Sequence, residues 1–190
     1  AIADAWFEAP GRFVALHPGD SNTPPSLAWY AAGETGARSN QSLAAVASPC
    51  TSGAFVLDGH TCVTGHADGS IACWDWTQGR LLATAKPQTA PIQGRPLPPI
   101  IRLLPSADGR TLLAHSFEVL YITTWSLPGL VELGHQYLPA RYDLAAAVSP
   151  DAARIALGGI GLGLSVNFWS RDLLETPVKL DGHQPKDFRM

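Results

Sequence analysis

The chain has 190 residues, with 13 Lys and Arg against 16 Asp and Glu, a net charge of -3 and a pI near 6.0. That balance lacks the basic stripe of a phosphate-backbone binder, so no nucleic-acid partner is expected. No apolar run approaches the ~18 residues of a membrane helix, and no charged-then-apolar leader precedes the first motifs. No membrane partner is therefore expected, and the cytoplasm is the expected location. The chain starts at Ala1 rather than Met, and is expected to have been processed or to be part of something longer.

Composition points to an all-β chain. It is 46% hydrophobic and only 15% charged, with 18 Gly and 16 Pro, which suits many short strands and turns better than helices. In chain order, the first group of short runs covers Trp6-Phe7, residues 12–16, 27–30 and 42–47. Between its second and third runs lies HPGDSNTPPS, a surface excursion by its Pro and Asn content. A loop of that kind on a rigid scaffold either carries binding or is a tolerated insertion.

The second group, GAFVLDGHTCVTGHADGSIACWDWTQGRLLATAKP, has runs at 53–57, 60–65, 70–74 and 80–85. Asp58-Gly59, Asp68-Gly69 and Gln78-Gly79 separate them, as tight hairpin turns would. Next comes PQTAPIQGRPLPP, whose five prolines cannot feed a central sheet ladder. It reads as an extended connection or a break. The third group covers 101–104, 111–115, 119–125 and 130–133, with Phe117-Glu118 as a turn. The fourth spans 144–180 and contains a glycine-rich run at 158–163. A phosphate-loop reading of that run fails, because such motifs open a helix after a strand and residues 164–169 continue as a strand.

The groups repeat. Trp29, Trp74, Trp125 and Trp169 are spaced by 45, 51 and 44 residues, and Ser106-Ala107-Asp108-Gly109 and Ser149-Pro150-Asp151 fall at matching turns. The turn Asp68-Gly69, the strand after it and the dipeptide Trp74-Asp75 resemble a WD40 repeat. Gly134-His135 and Gly182-His183 each look like that family's Gly-His pair. The other repeats carry Trp-Tyr and Trp-Ser in place of Trp-Asp. The resemblance implies a β-propeller of about four four-stranded blades, at roughly 3–47, 53–87, 100–138 and 144–180 within one domain, 1–190. Residues 181–190 would either close the ring, with 186–189 as a strand of the first blade, or start a truncated blade. Four blades are at the low limit, so the chain is expected to be part of a larger ring, closed by another chain or segment.

The family implies structural roles for Asp68, Trp74, Asp75, Trp125, His135, Trp169 and His183, through a hydrogen-bond network of the Gly-His histidine, a turn Asp and the third-strand Trp. His60 and His66, beside Asp58 and Asp68, are the nearest approach to a metal cluster. At strand rise the two histidines would stand about 20 Å apart, too far to share an ion. Cys50, Cys62 and Cys73 have neither disulfide nor zinc spacing and read as buried apolar thiols, with Cys62 and Cys73 on adjacent strands. No cofactor or catalytic motif is expected.

What remains is a surface. Phe117, Glu118, Tyr137 and Arg141 on one face, and Trp76 nearer the opposite face, are the expected protein-binding anchors. The function expected is a non-catalytic protein-interaction scaffold or sensor domain of a larger protein or complex. The alternative is a propeller-fold enzyme subunit with an active site in the central channel.

Overall fold

The computed structural model describes residue 2 and residues 4–20, 23–87, 96–116, 120–138, 145–158, 166–173 and 178–180. Among these every regular element is a strand. The first sheet comprises β1 (Asp4–Ala9), β2 (Arg12–His17), β3 (Ser26–Ala31) and β4 (Ser39–Ser42). The second comprises β5 (Cys50–Phe55), β6 (Thr61–His66), β7 (Ile71–Asp75) and β8 (Arg80–Ala85). The third comprises β9 (Ile100–Pro105), β10 (Thr111–Ser116), β11 (Leu120–Ser126) and β12 (Val131–Leu138). The fourth comprises β13 (Ala145–Val148), β14 (Arg154–Gly158), β15 (Val166–Ser170) and β16 (Val178–Leu180). Each sheet is an antiparallel meander in chain order, a blade. The first blade takes all four strands from its own segment. The suggested closing strand, residues 186–189, lies outside the described residues.

The turns show why the strands start and stop where they do. Val56 N–H bonds to Thr61 O at 2.9 Å, Ser106 N–H to Thr111 O at 2.8 Å, and Ser149 N–H to Arg154 O at 2.9 Å. The fourth residue of each of these turns has positive φ: Gly59 at 79°, Gly109 at 69° and Ala152 at 55°. In the last two blades a serine hydroxyl bonds to an aspartate two residues on: Ser106 to Asp108, and Ser149 to Asp151, both at 2.6 Å. The same hydroxyls accept from Thr111 and Arg154 N–H. These local bonds give the backbone an alternative to extending the ladder.

Strand register aligns the blades residue by residue. Ala32 N–H reaches Gly11 O, Trp76 N–H reaches His60 O, and Leu127 N–H reaches Arg110 O, each just past the third strand. The residue two places earlier in the chain is then Tyr30, Trp74 or Trp125. Their cross-strand partners are Phe13, Cys62 and Leu112, and Trp169 opposite Ile155 completes the set. This corrects the tryptophan spacing: Tyr30, not Trp29, holds the repeat position in the first blade. Trp29 is on the other face of β3, its ring centroid 6.4 Å from that of Trp76 in the second blade. A one-residue step along a strand reverses the face, so the spacing of 45 is one longer than the structural repeat, which runs from Tyr30 to Trp74.

The blades pack in series. Leu16, Leu27 and Leu43 of the first segment bury Phe55, Cys62 and Trp74 of the second. Val63, Ile71 and Cys73 bury Leu103, Leu112 and Trp125 of the third. Leu113 and Ile122 of the third bury Ile155, Leu157 and Trp169 of the fourth. In each case the Trp-bearing face of one blade meets the opposite face of the blade before it. The first strands meet in the same series, β1 with β5, β5 with β9, and β9 with β13. Gly53 in β5 allows close approach: a Cβ there would fall 2.1 Å from Leu16 Cδ2.

Two segments depart from expectation. The fourth strand of the first blade is Ser39–Ser42, not 42–47. Leu43 is fully buried and its N–H bonds to Pro25 O at 2.7 Å, so the apolar run after β4 plugs the gap between blades instead of extending the sheet. β12 runs to Leu138 rather than 133, which places Gly134 and His135 inside an outer strand instead of in a connection. Gly134 is required there: a Cβ would fall 1.6 Å from the backbone oxygen of Asp172 in the next blade.

Candidate interaction surfaces

The second blade carries the fullest hydrogen-bond network. Trp74 Nε1–H donates to Thr64 Oγ1 at 2.9 Å, Thr64 Oγ1 lies 2.9 Å from His66 Nε2, and His66 Nδ1 lies 2.8 Å from Ser48 O. One assignment satisfies all three: the threonine hydroxyl donates to Nε2, and Nδ1–H donates to the carbonyl. Burial lowers the His66 pKa, with the Ser48 carbonyl and Asp68 opposing in part. The histidine thus comes from the end of β6, not from a Gly-His pair ahead of the blade's first strand.

Asp68 closes the adjoining turn. Its Oδ1 accepts from Ser70 N–H at 3.1 Å and from the Ser70 hydroxyl, and its Oδ2 takes Lys86 Nζ at 2.6 Å. Burial acts to raise this carboxyl, but Lys86 and Ser70 outweigh it and hold it well below the ordinary range. Asp75 caps the next turn, accepting from Thr77 N–H, the Thr77 hydroxyl and Gln78 N–H. At the equivalent position of the third blade the Ser126 hydroxyl accepts from Val131 N–H. The Trp-Ser of the third blade therefore keeps a turn acceptor, as Trp-Asp does in the second.

The other predicted positions divide. Trp125 is buried and donates Nε1–H to Thr123 Oγ1 at 2.8 Å. Its blade has Ala114 where the second has Thr64, so the bond moves to a neighbour on its own strand. His135 does not join Trp125; its Nδ1 lies 2.8 Å from Glu132 Oε1. Trp169 is buried between the third and fourth blades. Tyr137 is half-buried, its ring 4.6 Å from that of Tyr121 and 6.4 Å from that of His135. Phe117, Glu118, Arg141 and His183 lie outside the described residues, as do most of the glycine-rich run and residues 88–95.

Trp76 is a correction. It was expected to anchor a surface contact, and it is 3% exposed. Its ring meets Phe55 edge-on at 5.7 Å and Trp29 at 6.4 Å. The residue follows the third strand immediately, where the chain bends back over the preceding blade, so the ring goes into the core. His60 and His66 are also separated in environment: His60 is an exposed turn residue beside Asp58, and His66 is buried.

The surfaces that periodicity did not reveal are the outer faces of the first and fourth blades. On the first, Phe7 is 77% exposed. Phe7, Phe13 and Tyr30 form a ladder with centroids 6.0 and 5.1 Å apart, and His17 Nε2 meets the Tyr30 hydroxyl at 3.1 Å. On the fourth, Ala147, Ala156, Phe168 and Val178 stand in register across the sheet, and Val178 is 63% exposed. An open groove of about 540 Å³ runs along the inner strands β1, β5 and β9, lined by residues including Asp4, Phe55 and Arg102. Its carboxylate accepts from Ala5 and Phe55 N–H. No helix among the described residues is long and apolar enough to cross a membrane.

No family model matches the sequence, and no curated protein matches it. Among solved structures, the crystal structure of the Myceliophteria thermophila Cps50 (Swd1) β-propeller domain matches with a TM-score of 0.67 at 17% identity. The match covers 95% of this chain and 60% of that one. The chain therefore spans less than two thirds of the propeller domain it resembles. Four antiparallel four-stranded sheets packed in series, and this likeness, show an all-β, β-propeller fold of about four blades.

Proposed function

We propose that the chain is a non-catalytic protein-interaction section of a propeller, acting as a scaffold or sensor part within a larger protein or complex. The observation that supports this reading best is the aromatic ladder of Phe7, Phe13 and Tyr30 on a sheet face that no other blade among the described residues covers. Exposed aromatic surface of this kind is characteristic of protein contacts. The half-buried Tyr137, with Arg141 further along the chain, is the proposed anchor pair. The protein should be isolated with its bound partner, and the affinity of that pair measured for wild type and for Tyr137→Ala with Arg141→Ala. A tenfold or greater weakening is expected. Unchanged affinity would remove this pair from the binding surface.

The second reading, an enzyme subunit with its site in the channel, draws on the groove beside β1, β5 and β9. Loss of a measured turnover in Arg102→Ala, with the fold retained, would favour it.

A further inference from the structure

The first blade's outer face is the repeat equivalent of a face that is buried three times elsewhere in the chain. Phe7, Phe13 and Tyr30 match Phe55, Cys62 and Trp74, which are covered by the first blade. In the third blade Leu112 and Trp125 hold the same places and are covered by the second; in the fourth, Ile155 and Trp169 are covered by the third. The covering face is always the opposite one, built in the second blade from Ala54, Val63, Ile71 and Cys73. In the fourth blade those positions are Ala147, Ala156, Val166 and Phe168, and no other blade among the described residues covers them.

We infer that these two outer faces are the two ends of one seat, filled by a body of about three further four-stranded blades that comes from polypeptide other than residues 1–190. This rests on the reading of the chain as a propeller section. Blade number follows from extent: four sheets over 60% of a propeller domain leave room for roughly three more in a ring. The chemistry of the occupant follows from the three internal interfaces. Against Phe7, Phe13 and Tyr30 it presents a face of small and β-branched residues. Against Ala147, Ala156 and Val178 it presents a face with a large aromatic on its third strand. A second copy would supply both chemistries, but would add four blades where the extent leaves room for three.

A photo-crosslinking amino acid placed at Phe7 and, separately, at Val178 tests this in the protein isolated from its own cells, with exposed Leu57 as a control position. Crosslinked peptides are identified by mass spectrometry. The expected result is that positions 7 and 178 both capture strands of one polypeptide outside residues 1–190, and that position 57 does not. Capture of residues near 178 by position 7 of another copy would overturn the inference in favour of a head-to-tail dimer. No capture at either position would show the faces to be open to solvent. Loss of partner affinity in the Tyr137 and Arg141 double variant, alongside no capture at 7 or 178, would leave the interaction reading standing while this inference fell.

Discussion

His17 Nε2 lies 3.1 Å from the Tyr30 hydroxyl, and these two residues hold the chain positions that His66 and Trp74 hold one blade later. The second blade bridges its pair through the Thr64 hydroxyl. The first has Ala15 at that place, which offers no hydroxyl, so the longer reach of the tyrosine makes the contact directly. Tyr30→Phe keeps the ring stack on Phe13 and removes only this bond. The expected loss is about 1 kcal/mol of unfolding free energy, read by urea denaturation with an unchanged m-value. A variant as stable as wild type would mean that the His17–Tyr30 contact contributes nothing.

The bridged version in the second blade should matter more, because it is buried. Thr64→Val keeps the shape of the side chain and leaves Trp74 Nε1 and His66 Nε2 without their shared partner, at a cost of roughly 1–3 kcal/mol. Trp74→Ala empties the space between the first two blades and should cost roughly 3–5 kcal/mol. The order Trp74→Ala, Thr64→Val, Tyr30→Phe is checked by comparing denaturation midpoints. Thr64→Val costing less than Tyr30→Phe would contradict the network.

Much of this was legible in the sequence, for physical reasons. Asp58-Gly59, Asp68-Gly69 and Gln78-Gly79 are turn pairs whose glycines take positive φ, at 79°, 75° and 62°, so the second blade could be placed strand by strand. The first blade was harder. Trp29 and Tyr30 are adjacent aromatics on opposite faces, and only cross-strand register tells which one packs against the second blade. β4, Ser39–Ser42, has no apolar alternation to announce it. Trp76 looked like a surface anchor because it follows a strand end, whereas its burial depends on the aromatic rings of two blades. The outer faces could not be read at all, since along the chain they carry the same pattern as the buried ones.

Stability should fall with mild acid. Burial lowers the pKa of His66, and burial together with the nearby Arg102 lowers that of His115. Both rings are harder to protonate in the folded protein than in the unfolded chain, where they titrate near 6.5. Above that value neither state binds these protons. As pH drops below it the unfolded state binds more, so stability declines. Asp68 contributes little in this window: its carboxyl is held low, so its stabilisation is lost as pH falls from the ordinary carboxylate value towards the lower folded one. Thermal melts at pH 8, 7, 6 and 5 should show Tm falling below about pH 6.5, and His115→Leu should flatten part of that slope. Equal Tm at pH 8 and 5 would refute the assignment.

Gly134→Ala tests the contact between β12 and the fourth blade. The added Cβ would meet the backbone of Asp172, which cannot rotate away as a side chain can. Overpacking of this kind costs about 1–3 kcal/mol, and more where backbone must move. Gly129→Ala is the control, because a Cβ there meets nothing within 4 Å. Equal midpoints for the two variants would mean that the third and fourth blades are not packed as described.

The three thiols report on whether the second blade is closed. Cys50, Cys62 and Cys73 are free and buried. Burial pushes Cys50 up to about 11 and Cys73 up to about 12, and raises Cys62 well above its ordinary value, with the other two thiols adding to the effect. At pH 8 the thiolate fraction is of order one in a thousand or less, and the thiolate is the reactive form. The native protein should therefore stay inert to an aromatic disulfide reagent over minutes and release three equivalents once unfolded in guanidinium. Cys50 is 6% exposed, against complete burial of the other two, so slow native labelling should begin there. Cys62 and Cys73 react only when the sheets on either side of them separate, and their labelling rate should rise in Trp74→Ala exponentially with the stability lost, tenfold for each ~1.4 kcal/mol. Fast reaction of Cys73 in the wild-type protein would show that the second and third blades are not in lasting contact.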